Sequence, residues 1–378
     1  MAVNRWFQSG NYRRNYKEDQ TIFATFSEEA SLLVFLLFML LLPQLLGLLD
    51  ALGWIGGTRA TFRLLDTILI YTIAVMGLNI VTGYAGQISI GQAAFMGVGA
   101  YTAVVITRDL AIPLFGFETT IPLWYAVAIL PISGLVAALF GAFVGLPSLR
   151  LKHLYLAIAT LAFQVIFVWS VGHIPFLAQG DSIKMPRVEV FDTVVKSKLV
   201  GPFYYYFGLI VVIILAIAMR NMLRGKFGRA LIAVRDNDRA ADAMGISPGA
   251  TKVLAFAIAG FYAGVAGAVL SLLDGSVNIE AFGLGVSIDF LAMAIIGGLG
   301  TMVGSLIGPA FLIFLDPRVE QFAGFIQQFF PSTIDVGTAM RPTIFGLVIV
   351  LFLIFEPRGL ANWWRLIRQY FKRFPFKY

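Results

Sequence analysis

Long apolar runs separated by short polar connections set the pattern of this chain. "SLLVFLLFMLLLPQLLGLL" (Ser31–Leu49) and "PFYYYFGLIVVIILAIAM" (Pro202–Met219) each have the length that crosses a hydrocarbon layer, roughly 20 helical residues. The same pattern predicts spans at Leu32–Leu49, Thr67–Val81, Gly91–Ile106, Ile121–Leu146, Leu154–Val171, Phe203–Met219 and Val253–Leu273. A longer run, Ile288–Leu315, and a short one, Pro342–Phe355, follow. The first run comes after Arg5, Arg13, Arg14 and Lys17, but it starts late and lacks a small-residue cleavage pattern, so it reads as a retained span. The predicted class is an all-α, polytopic integral membrane protein with about 8–10 transmembrane helices and discontinuous Gly-rich segments.

Basic residues orient these spans. Arg220–Lys252 carries seven Lys/Arg against three Asp, Arg150 and Lys152 form a basic turn, and Arg358, Arg365, Arg368, Lys372, Arg373 and Lys377 fill the tail. The positive-inside rule puts all three on the cytoplasmic side, with both termini cytoplasmic. A single crossing at Ile288–Leu315 then leaves the tail on the wrong side. The conflict disappears if that run enters and leaves by one face or hides two crossings, and "GGLG" (Gly297–Gly300) supplies a place to turn. Past the turn, Gly300, Gly304 and Gly308 fall on one helical face, as Gly260 and Gly264 do in the preceding span, which suits close helix packing. Asp316–Met340 is expected to lie along the interface. The organisation predicted is an N-terminal extension (1–30), a membrane domain (31–360) with a polar inner loop (220–252), and a basic tail (361–378).

Composition agrees: 59% hydrophobic, 13% charged, mean hydropathy +0.84. The net charge of +7 then reflects orientation in the membrane and its lipids, not nucleic acid. There is no cysteine and only two histidines, His153 and His173, so no metal site and no cofactor are expected. No G-x-x-x-x-G-K-[ST] occurs, and "GLGTMVG" has neither the spacing nor the lysine of a phosphate loop, so any energy from ATP must come through another polypeptide. No reactive constellation argues for an enzyme.

"TGYAGQISIGQAAFMGVGAY" (Thr82–Tyr101) is too polar for lipid. Thr82, Gln87, Ser89 and Gln92 must face neighbouring helices or a wet passage, either bonding helix to helix or lining a path. "VSI" (Val286–Ile288) resembles "ISI" (Ile88–Ile90), with Ala94/Ala292 and Gly99/Gly297 at equal offsets, which makes Ser287 a possible counterpart of Ser89 in an internal repeat. Three carboxylates lie near membrane depth. Asp50 closes a span, Asp66 is expected at a helix start, and Asp289 opens the broken element as a functional charge or a cap. No charged relay of the kind an ion-driven carrier uses is evident inside the spans. In the inner loop, "GRALIAVRDNDRAADAMGI" (Gly228–Ile246) ends in a helix of about two turns, capped by Asn237 or Asp238 and stopped by Gly245. Its small apolar surface, Ala240, Ala241, Ala243 and Met244, suits a partner's groove, while Arg224, Lys226 and Arg229 suit anionic lipid.

"GLNIVTGYAGQISIGQAAFMGVGAY" (Gly77–Tyr101), "GRALIAVRDNDRAADAMGI", "AIIGGLGTMVGSLIGP" (Ala294–Pro309) and "FEPRGL" (Phe355–Leu360) together resemble the LivM-type permeases of bacterial ABC importers. The resemblance covers roughly Thr67 to Leu360 and implies an inner-membrane permease beside a second, LivH-like permease, two cytoplasmic ATPases and a periplasmic binding protein. It implies that Gly228, Arg229, Arg235, Asp236, Asn237, Asp238, Ala241, Met244 and Gly245 form the segment that docks on the ATPase. It favours Gln87, Ser89 and Gln92 near the translocation path, to which the residue pattern adds Thr82, Ser287 and Asp289 as candidates, while Gly260, Gly264, Gly297, Gly298, Gly300, Gly304 and Gly308 remain packing surfaces or breaks by their spacing. The implied solute is a neutral or branched-chain amino acid. The alternatives are urea or short amides in the same family, or an ion-coupled secondary carrier. The extension at 1–30 is longer than the family leads one to expect.

Overall fold

The structure is a computed structural model that describes residues 37–45, 58–111, 120–151, 154–174, 182–190, 193–194, 200–327, 336–356 and 358–372. The expected N-terminal extension, Asp50, His153 and the end of the basic tail lie outside the described residues, and the span expected at Leu32–Leu49 is described only as helix α1, residues 37–45. The chain divides into two units, Arg63–Ala361 and the two ends, Met1–Phe62 with Asn362–Tyr378.

The larger unit is built from helices α2 (Thr58–Asn79), α3 (Gln92–Ile106), α4 (Leu123–Gly145), α5 (Leu154–His173), α6 (Val200–Arg224), α7 (Lys226–Asp236), α8 (Asp238–Ala243), α9 (Pro248–Asp274), α10 (Leu284–Gly297), α11 (Gly304–Gln327) and α12 (Val336–Phe355). A further helix, α13 (Leu360–Lys372), leads into the other unit. Among the described residues, five helical segments are long and apolar enough to cross a membrane: Thr61–Tyr84, Leu123–Leu149, Leu154–His173, Pro202–Arg224 and Pro248–Asp274. The protein is thus an all-α polytopic membrane protein.

Helix α9 is the axis. Ser247 caps its start with Pro248 in the first turn, and Gly275, at φ 64°, ends it in the left-handed conformation. Its 27 residues reach about 40 Å at 1.5 Å per residue. A side chain at Gly260 or Gly264 would run into Ala137 of α4, so the two helices touch almost backbone to backbone. At one end of α9, Asp274 pairs with Arg63 at 3.1 Å. Short strands cover that end. β1 (Thr120–Pro122) runs parallel to β3 (Arg187–Val190), which pairs antiparallel with β4 (Thr193–Val194), and β2 (Ser182–Lys184) pairs antiparallel with β5 (Ser276–Asn278). The opposite end carries α7 and α8.

Two elements stop partway. Helix α2 passes through a π turn at Ile80–Tyr84, and the chain then runs without helix to Gly91 before α3 starts. Helix α10 is 14 residues, about 21 Å, and is too short for a layer of roughly 30 Å. After Gly298 (φ 116°) and Gly300 (φ 72°) the chain reverses into α11. Gly297 lies against Gly304 and Gly308 against the Met293 carbonyl, so the two arms form an antiparallel hairpin. The turn expected at Gly297–Gly300 is therefore present, and α12 returns to the α7–α8 end, where Arg358 and Gly359 lie against Gly298.

Four expectations need correction. Gly300 does not share a helical face with Gly304 and Gly308, because α11 begins only at Gly304. The segment expected along the interface starts as helix, since α11 continues through Asp316 to Gln327 with Pro309 and Pro317 inside it. Proline removes one backbone bond and bends a helix, and within a protein-lined membrane region neighbouring groups tolerate that. Asp66 is not at a helix start: α2 begins at Thr58, and Asp66 is buried in its interior. Ser89 and Ser287 differ in local structure, the first in the non-helical stretch and the second inside α10.

Candidate functional site

The start of α3 is buried deep in the helix pack, where its free N–H groups have no water to turn to. Gly91 precedes it and has no side chain to cap with. Other helices provide the acceptors. The Ala94 N–H donates to Gln164 Oε1 at 2.8 Å, the Ala93 N–H to Ser287 Oγ at 2.9 Å, and the Ile90 N–H to Thr160 Oγ1 at 3.0 Å. Ser287 Oγ donates in turn to Gln164 Oε1 at 2.9 Å, and Gln164 Nε2 to the Phe282 carbonyl at 2.5 Å. Gln92 reaches the other way, its Nε2 donating to the Ala74 carbonyl of α2 at 2.8 Å. Helices α2, α3, α5 and α10 are thereby tied at one level.

The structure thus places Gln92 and Ser287 at the start of α3, Gln92 bonded to α2 and Ser287 to the Ala93 N–H, and adds Gln164 and Thr160, which the sequence reading missed. Gln164 is the only amide in the apolar run Leu154–Val171, and that solitude was the available signal. Thr82 Oγ1, Ser89 Oγ and Gln92 Oε1 are buried with no hydrogen-bond partner, so polar capacity remains along this stretch. Gln87 lies elsewhere. Its Nε2 donates to the nearby Ala85 carbonyl, and its side chain lines a cleft at the α7–α8 end. Asp289 is six residues into α10, whose cap is Gly283, so it does not cap that helix.

At the α7–α8 end three broken pieces of backbone meet. Asn79 is almost wholly buried. Its Oδ1 accepts from the Gly300 N–H at 2.7 Å, and its Nδ2 donates to the Thr301 carbonyl and Ser305 Oγ, both at 2.7 Å. Gly83, in the π turn, packs so closely on Asn79 and Gly300 that a side chain there would strike both. The Gly83 carbonyl accepts from Arg235 Nη1 at 3.1 Å, and Arg235 Nε meets Asp236 at 3.2 Å.

Helix α8 is held as its sequence dictates. Asn237 Oδ1 accepts from the N–H groups of Arg239 and Ala240 at 3.0 and 3.2 Å, and Gly245 at φ 81° ends the turn. Asp238 pairs with the buried Lys252 of α9 at 2.6 Å. Ala241 faces inward and is buried, whereas Met244 is 83% exposed. Gly228 packs on the Leu223 backbone where α6 turns into α7, and Arg229 Nη1 donates to the Arg224 carbonyl at 3.3 Å. A cleft of about 400 Å³ opens here between Gly86–Gln87 and the Val234–Arg239 segment. Among the described residues no group of three or more potential metal ligands occurs. What this arrangement can do is mechanical: it links an exposed short helix to two interrupted membrane elements.

The profile of the family described as "Branched-chain amino acid transport system / permease component" matches residues 60–355. The chain is 27% identical over 327 residues to the high-affinity branched-chain amino acid transport system permease protein LivM of Escherichia coli (strain K12), covering 80% of this chain and 70% of that protein. It is 24% identical to the probable branched-chain amino acid transport permease protein LivM of Methanocaldococcus jannaschii, covering 77% and 90%. A shorter match, 30% over 199 residues, covers 50% of this chain and 54% of the autoinducer 2 import system permease protein LsrC of Klebsiella pneumoniae. No solved structure matches. With the match running from the start of α2 to the end of α12, the chain belongs to the branched-chain amino acid transport system permease family, and it is a transport subunit rather than an enzyme.

Proposed function

We propose that this chain forms the translocation path of an ABC importer for neutral or branched-chain amino acids and that an ATPase drives it through α7 and α8. One observation carries the reading most directly: α8 is rigidly seated on its inner side and presents an exposed apolar tip, Met244, on its outer side. That is the form a helix takes when it fits a partner's groove. Gly228, Arg229 and Gly245 shape the segment, and Arg235, Asp236 and Asn237 join it to the rest. The α7–α8 end and the tail carry the basic residues, which supports a cytoplasmic position for both and for the termini.

The partners that complete such an importer are a second, LivH-like permease beside it in the inner membrane, two ATPases on the cytoplasmic face and a binding protein in the periplasm. The unsatisfied Thr82, Ser89 and Gln92 groups support a path along this stretch, with Ser287 and Asp289 bordering it and Gln87 at the cleft on the α7–α8 end. The passage is expected to open as α3 and α10, neither of which spans the layer alone, shift against α9.

Reconstitution in liposomes tests the reading. The chain alone should hydrolyse no ATP and move no solute. With its second permease, ATPases and binding protein it should take up labelled leucine only when ATP is present. Uptake of urea or acetamide in place of leucine would replace the solute, and uptake by the lone chain under a proton or sodium gradient would replace the mechanism.

A further inference from the structure

We propose that Arg235 is an internal tie rather than a docking residue, joining α7 and α8 to both interrupted membrane elements at once. The inference rests on the coupling role proposed above and assigns the link by which movement passes from the loop into the membrane domain.

The geometry favours a tie. Arg235 is the penultimate residue of α7, just before the turn into α8 at Asn237, yet its guanidinium points toward the membrane unit and donates to the Gly83 carbonyl at 3.1 Å. That carbonyl sits in the π turn, where the bonding pattern shifts: the Ala85 N–H reaches back to Ile80 and the Gln87 N–H to Val81. Gly300, in the break between α10 and α11 and held by Asn79, packs against Gly83 and beside the Arg235 guanidinium. The Gly86 backbone packs under the Arg235 side chain so closely that a Cβ there would collide with it. Arg235, Gly83 and Gly300 therefore meet at one point across three chain segments. A displacement of α8 moves Arg235, and Arg235 can carry the π turn and the α10–α11 break with it. Backbone contacts through glycine transmit such a shift without a compliant side chain between them.

Arg235→Ala and Arg235→Gln in the assembled importer separate this from the docking reading. The tie predicts that both variants still co-purify with the ATPase. It predicts that Arg235→Ala loses ATP-driven uptake by about tenfold, a coupling loss within the usual range for linked sites. Arg235→Gln, which keeps an N–H donor but no charge, should recover part of that loss. Hydrogen exchange gives a second readout: amides at 298–303 should change protection on adding ATP in the parent complex and not in Arg235→Ala. Loss of the ATPase from both variants, with the helices still folded, would assign Arg235 to the docking surface and overturn the proposal. Normal uptake in Arg235→Ala with an unchanged ATP response at 298–303 would also overturn it. If Arg235→Ala fails to reach the membrane, the Gln variant and its exchange pattern decide in the same way. Failure of the parent chain to recruit any ATPase strikes the proposed function instead, so the two failures are distinct.

Discussion

Asp238 and Lys252 show how placement changes what a mutation means. In sequence both belong to a charged loop, and reversing Asp238 reads as a probe of partner contact. In the structure Lys252 is only 5% exposed and its ammonium lies 2.6 Å from Asp238. Asp238→Lys therefore confronts a buried cation with another and should loosen α8 itself. Removing one partner of a buried pair costs roughly 3–5 kcal/mol, and the partial exposure of Asp238 brings the expectation down to about 2–3 kcal/mol. Faster hydrogen exchange across α8 in Asp238→Ala checks this. Met244→Asp is the cleaner docking probe, because that side chain touches little of its own chain. It should reduce ATPase co-purification by about tenfold or more without changing thermal stability. Gln164 makes the opposite case. Its partners are 70, 118 and 123 residues away in sequence, so no local pattern reveals them. Gln164→Leu strands the Ala94 N–H and the Phe282 carbonyl and should destabilise the fold by roughly 2–4 kcal/mol, measured as a lower unfolding midpoint in detergent. Gln92 and Ser287 stood out in the sequence because they were polar among glycines. Their roles were not legible, because the groups they satisfy belong to other helices.

Helices with apolar runs of full length were readable to within a few residues, since length and hydropathy answer to one constraint, the thickness of the layer. The α10–α11 hairpin was legible for a different reason: the basic segments at Arg220–Lys252 and after Phe355 had to reach one side, and only a returning element satisfies both. What hydropathy could not supply was where each broken piece begins. Helix α2 starts before Thr67, and in that added stretch Arg63 meets Asp274 across the bundle, a contact invisible along the chain. Helix α11 runs past Asp316 with Pro309 and Pro317 inside it, so neither proline ends the helix. The hairpin itself depends on small residues. Gly308→Leu would drive a side chain into the Met293 backbone of α10, and the arms must part. An overpacking cost of about 1–3 kcal/mol, or more against backbone, should appear as a lower unfolding midpoint with the rest of the fold retained.

Energy source is the property on which the competing mechanisms differ most, and one carboxylate separates them. Asp66 is buried in α2 at 4% exposure, and its Oδ1 has no hydrogen-bond partner. The small space beside it is lined by Ile70, Tyr204, Gly208, Val269 and Leu273, with no cation among them. An ion-driven carrier needs a group that binds and releases its ion in step with the solute, and among the described residues Asp66 is the carboxylate best placed for that work. An ATP-driven permease has no such need, because its two states are set by a motor bound at α7 and α8. Asp66→Asn keeps the shape and polarity of the side chain while removing its ability to take up a proton. If ATP drives the molecule, Asp66→Asn in the assembled importer should retain uptake within about twofold of the parent, with no shift in its pH profile. Loss of transport in Asp66→Asn with assembly and ATP hydrolysis intact would move the source of energy from α8 into the membrane. The glycine contacts at Gly83 and Gly300 would then serve a proton-linked rearrangement instead of a motor-driven one.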